Sequence, residues 1–218
     1  MRSFHLKNIK KSILLAGSML ILSACASYDL NSMQETSVTI EDETNELVNK
    51  FNTLFDLETE LFTTFESDIE TDQELASFSN NEAEVFNNIS TREETISSIS
   101  DLNTNLKDHA EFLAGYDGDE LDSKNTNALS TQLNELTELI DTYTTDYTTA
   151  IDNQTAYFES LGSNDATADT FIEGMEAINE EHEQILEQST QINIALGETL
   201  SELESFKQDV EQALPEGE

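Results

Sequence analysis

Residues 43–78, ETNELVNKFNTLFDLETELFTTFESDIETDQELASF, carry the clearest periodicity in the chain. Leu47, Leu54, Leu61 and Leu75 stand at multiples of seven, and Val48, Phe55, Phe62, Ile69 and Ala76 each follow such a position by one. Phe51 and Phe65 fall on the same side. This spacing predicts a helix over residues 43–78 whose apolar face takes about three positions in seven, broader than a two-stranded seam and suited to a bundle core. A repeat of seven also predicts left-handed supercoiling. Glu58, Asp68 and Asp72 interrupt the stripe and predict thinner packing toward its end.

The same pattern returns three more times. After the turn Ser79-Asn80-Asn81, where Asn81 and Glu84 have capping-box spacing, residues 82–116 carry Val85, Ile89, Ile96, Ile99, Leu106, Ala110 and Leu113. Arg92 falls inside that stripe, so it either reaches solvent or pairs with a carboxylate. Gly115-Tyr116-Asp117-Gly118-Asp119 is the strongest breaker. A third helix is predicted over residues 120–161, and Gly162-Ser163-Asn164-Asp165 supplies its stop. A fourth runs over residues 166–214, with Gly197 as a place where it can bend. The fold class that follows is all-α: about four long helices in an elongated antiparallel bundle with coiled-coil-like packing, over residues 43–214, followed by a frayed tail at 215–218.

Upstream the character changes. Arg2, Lys7, Lys10 and Lys11 form a basic head, and Ile13 to Leu22 is an apolar run of about ten residues, too short to span a hydrocarbon core of about 30 Å. The order reads as a secretory signal over residues 1–24, excluded from the fold. Leu22-Ser23-Ala24-Cys25 resembles a bacterial lipobox, which implies that Cys25 carries a covalent diacylglyceryl and acyl (palmitate-type) lipid; the alternative is an ordinary cleavage site. Two or more acyl chains give stable anchoring where one does not. Residues 25–42, beginning with the lipidated cysteine, then read as a flexible tether.

Charge narrows the function. The chain holds 46 acidic and 9 basic residues, a formal net charge of −37. Beyond residue 25 the basic side chains are Lys50, Arg92, Lys107, Lys124 and Lys207. Without a basic footprint nucleic-acid binding is excluded, and the surface reads chiefly as a solubility or salt adaptation. No glycine-rich phosphate loop, His-Glu-x-x-His pair or Gly-x-Ser-x-Gly elbow occurs. The expectation is therefore no enzyme, no catalytic residue, no metal site and no cofactor beyond the lipid on Cys25. His109 and His182 read as structural, His182 as a boundary core residue whose neighbours Glu180, Glu181 and Glu183 raise its pKa. Tyr143, Tyr147 and Tyr157 share a helical face, either as a binding strip for a glycan or partner helix, or as rings packed along a narrow core.

Several passages resemble one family. These are Asn88-Ile89-Ser90-Thr91-Arg92 leading to Ile96-Ser97, then Leu121 through Tyr143 and Tyr147 to Tyr157-Phe158, and Thr170-Phe171-Ile172 through Ile178-Asn179. Behind a lipobox, their order is similar to that of the YkyA-like cell-wall-binding lipoproteins of Gram-positive bacteria. The resemblance implies a helical domain, lipid-anchored on the outer face of the cell membrane, with membrane lipid, peptidoglycan or an envelope protein as partners. It transfers no catalytic residue. The expected function is a wall-binding or scaffold module; the alternatives are a docking subunit for another envelope protein, or a regulator or enzyme of wall remodelling. The acidic surface departs from the lysine-rich character associated with the family.

Overall fold

The computed structural model describes residues 29–215. Five helices follow in order: α1 (Leu30–Thr71), α2 (Ala76–Ser79), α3 (Glu84–Ala114), α4 (Ser123–Leu161) and α5 (Ala168–Ala213). Among the described residues there is no strand, and the fold is the all-α bundle that the heptads require. The longest helices have 42 and 46 residues, so the rod is about 65 Å long at 1.5 Å per residue.

Cross-helix bonds record the antiparallel order. Glu41 on α1 pairs with Lys207 on α5 at 2.6 Å, while Phe65 stacks near Phe171. Asn103 of α3 donates to the Thr137 carbonyl of α4 and Arg92 to Gln154. The helices form a ring in the order α1, α3, α4, α5, whose least closed side is the seam between α1 and α5. Leu47, Leu54, Ile99, Leu106, Leu133, Ile140 and Val210 are among the core residues at 0–1% exposure.

The expected tether is largely helix. The α1 helix begins at Leu30, capped by the Asp29 carboxylate, which accepts from the Ser32 amide at 2.8 Å. Met33, Ser37, Ile40 and Thr44 continue the buried stripe toward the chain start. Two of these core positions are hydroxylated, which hides the repeat in an apolar tally. A small hydroxyl is tolerated there when it bonds back within its own helix, as Ser37 does to the Gln34 carbonyl at 2.7 Å. The lipobox and Cys25 lie outside the described residues.

The first helix also stops earlier than expected, at Thr71. Leu75 takes a left-handed conformation (φ 56°) and opens the one-turn α2. The acidic residues that interrupt the stripe explain the break. Asp72 accepts from the Ser77 amide at 2.7 Å, and this hydrogen bonding holds its carboxyl below the usual range. Asp68 is buried and accepts from the Glu84 and Val85 amides, capping α3 from another helix. The expected capping box is absent: Ala83 is the N-cap, without a side-chain bond, and Asn81 instead reaches Glu159. The helix is not interrupted at Gly197: α5 runs continuously from Ala168 to Ala213.

Candidate functional site

The two ends of the rod are chemically unlike. At one end α1 begins beside Glu120 of the α3–α4 turn and Leu214 at the close of α5. The opposite tip is aromatic. There Phe65 meets Phe78 edge-on with centroids 5.8 Å apart, Phe158 at 5.0 Å and Phe171 in a stacked arrangement at 6.0 Å. Stacked and edge-on ring pairs each contribute about 0.5–1.5 kcal/mol beyond their area. The α2 turn plugs this end with Phe78, which is fully buried. Around the plug Phe171 and Ile172 remain 39% and 53% exposed.

The three tyrosines of the expected strip divide. Tyr143 and Tyr147 are buried at 2% and 1% exposure, so they are core rings and not a surface strip. Burial pushes both phenols well above their ordinary value. Only Tyr157 of the three reaches the surface. It is half-buried at the aromatic tip, where its hydroxyl donates to the Phe171 carbonyl at 3.2 Å, and burial raises its phenol to about 12. Its ring lies where a side chain at Gly174 would fall, so α5 approaches closely enough to hold it.

Below the aromatic tip, and nearer to it than to the rod's middle, a polar layer crosses the core. Arg92, 1% exposed, donates from Nε to Asn88 at 2.9 Å and from a terminal nitrogen to Gln154 at 2.7 Å. Its guanidinium carbon lies 6.0 Å from the centre of the Tyr147 ring. This arginine therefore neither reaches solvent nor makes the expected contact ion pair; amide oxygens and a ring face receive it. On the other side of the core, Glu58 pairs with His182 Nδ1 at 3.2 Å. Hydrogen bonding to Glu58 is the leading cause that raises the His182 pKa, with Glu183 a minor contributor. The sequence neighbours of His182 do not supply the main effect; a carboxylate from another helix does.

That pair has a pH signature. A histidine whose folded pKa is raised stabilises the fold fully below its unfolded value of about 6.5 and loses that contribution as pH rises through the folded value. His182→Gln should therefore melt below wild type at pH 5.5, with the deficit shrinking by pH 9. Comparing variant with parent at each pH cancels the repulsion among the many carboxylates. A deficit that is constant across this range would contradict the pairing.

Beside the same layer the α1–α5 seam opens into a cavity of about 180 Å³. Phe51, Phe55 and Leu186 form apolar walls, with Glu58, Tyr143 and Ser189 at its polar side. Phe55 is 60% exposed and Leu186 48%. Among the described residues no group of three or more His, Cys, Asp or Glu side chains is placed to hold a metal ion, and no helix is long and apolar enough to cross a membrane.

The chain matches the family model YkyA, described as "Putative cell-wall binding lipoprotein", over residues 29–212. No curated protein and no solved structure matches it. The matched span coincides almost entirely with the bundle, from the N-cap of α1 to the last turn of α5.

Proposed function

The chain belongs to the YkyA family, and from that premise we propose that it is an extracytoplasmic lipoprotein, anchored through Cys25, that meets the cell wall with the aromatic tip of its rod and does not turn the wall over. The observation that carries this reading is the polarity of the rod. The exposed Phe171 and Ile172 sit at the end opposite the start of α1. Asp29 caps α1 only four positions after Cys25, and four residues reach at most about 14 Å. An anchor so close to a stiff helix holds the tip on the order of 65 Å from the bilayer. A rod of this kind serves equally as spacer and as binding module. Exposed aromatic and aliphatic side chains suit the apolar faces of sugar rings, and such a contact does not depend on attraction between the acidic surface and wall phosphates.

Two measurements test the reading. In cells, Cys25→Ala should abolish metabolic labelling with a fatty acid; equal labelling of both forms would refute the anchor. In solution, residues 26–218 should co-sediment with purified peptidoglycan and release no soluble fragments. The double variant Phe171→Ser/Ile172→Ser should bind about tenfold more weakly, the equivalent of about 1.4 kcal/mol. Undiminished co-sedimentation of that variant would remove the tip from the mechanism, and release of fragments would make the protein an enzyme.

A further inference from the structure

The seam between α1 and α5 is built as the side of a larger bundle. On α1, Val48, Phe55 and Phe62 follow one another at intervals of seven; on α5, Leu186 and Leu200 stand two sevens apart with Asn193 between them. These two rows are distinct from the buried rows Leu47–Leu54–Leu61 and Ile178–Ile185–Ile192, which already fill the core. A second heptad row on each of two antiparallel helices, left partly exposed, presents a furrow longer than the cavity it contains. Furrows of this form receive a helix, whose side chains at positions 1, 4, 5 and 8 enter successive gaps. A single sugar or small molecule requires only a local cup.

Charge decides the kind of helix. Glu58 lines the cavity, and Asp56 and Glu187 are exposed immediately beside Phe55 and Leu186. Of the cationic groups, Arg92 is internal, Lys107 is paired with Asp141, Lys207 with Glu41 and His182 with Glu58, so the exposed Asp56 and Glu187 carry the negative charge of the two banks. A second copy of a chain with net charge −37 would bring like charge against like. Lysine or arginine flanking an apolar row would instead meet carboxylates on both banks. The position of Gly197 agrees with such a guest. It is exposed on α5, one residue beyond the cavity-lining Leu196, and nothing lies within 4 Å of where its side chain would be. A glycine there leaves room for a neighbouring backbone to approach.

We propose that the α1–α5 seam receives one basic amphipathic helix of a partner protein, seated on Phe55 and Leu186 with its cationic flanks over Asp56 and Glu187. This surface is separate from the wall-facing tip, so one rod can hold a partner at mid-height while its end contacts the wall.

The test uses residues 26–218, which contain the whole bundle, and three synthetic 21-residue peptides. The first carries leucine in a heptad row with lysine on the remaining face; the second replaces lysine by glutamate; the third scrambles the first. Fluorescence anisotropy at 0.15 M salt should show saturable binding of the first peptide alone. The double variant Phe55→Ser/Leu186→Ser should weaken it about tenfold or more, with unchanged helicity because both side chains are already solvent-facing. Phe171→Ser/Ile172→Ser should leave it unaltered, which separates this site from the tip. Equal binding of the scrambled peptide, no loss in the seam variant, or no binding to wild type would overturn the proposal. Self-association that the seam variant abolishes would assign the furrow to a second copy. Displacement of the peptide by an N-acetylglucosamine oligomer would assign it to a sugar.

Discussion

Arg92→Ala is expected to destabilise the bundle by about 3–5 kcal/mol, from the loss of two charge-assisted hydrogen bonds and the cavity left behind. The guanidinium is 1% exposed and bridges α3 to α4 through Gln154. Removing it strips donors from Asn88 and Gln154 and opens a cavity beside the Tyr147 ring. At about 2–4 °C per kcal/mol for a chain of this size, the melting temperature should fall by about 10 °C. Arg92→Lys should recover little of this, because one ammonium cannot reproduce two donors in a planar fork. Arg92→Met/Gln154→Leu should recover much more, since it removes both ends of the bridge while keeping volume. Chemical denaturation of the four proteins decides the matter. A loss below about 1 kcal/mol for Arg92→Ala would mean that the side chain behaves as a surface charge.

Why so much of the fold is legible, and so little of the site, follows from where each kind of information resides. Heptad rows are local, and Leu47–Leu54–Leu61 faces the core whatever stands opposite it. The all-α class and the antiparallel bundle therefore come from spacing and turn lengths alone. Pairing across helices is not local. Nothing in the sequence around Asp68 says that its carboxylate will cap α3, and the acid looks like a flaw in the stripe until the Val85 amide is found 2.8 Å away. Glu58 is the same case with His182. Tyr143, Tyr147 and Tyr157 share one helical face, yet that face runs from the centre of the core to the rim of the tip. Spacing along α4 cannot distinguish those surroundings. The lost tether teaches a related lesson, because Ser37 and Thr44 are as buried as the leucines while counting as polar in any hydropathy tally.

Two glycines that look alike in sequence should respond in opposite directions. Gly162 and Gly197 both punctuate a helical pattern, the first at the end of α4 and the second inside α5. Gly162 has an ordinary φ of −78°, so conformational freedom is not what it supplies. It supplies room: a side-chain carbon there would lie 2.2 Å from the Ser79 backbone nitrogen and 2.7 Å from its Cα. Backbone cannot rotate aside as a side chain does, so Gly162→Ala must push α2 off the tip and loosen Phe78 from Phe65 and Phe86. Overpacking of this kind costs about 1–3 kcal/mol, occasionally more. Gly197→Ala meets nothing and replaces the poorer helix former, which should stabilise the free protein by about 1 kcal/mol. Urea unfolding at fixed salt measures both signs, and Gly162→Ala should also weaken peptidoglycan co-sedimentation because the displaced plug packs on Phe65, the ring against which Phe171 stacks. Equal stability of the two variants would show that the contact between α2 and the end of α4 is looser than this packing requires.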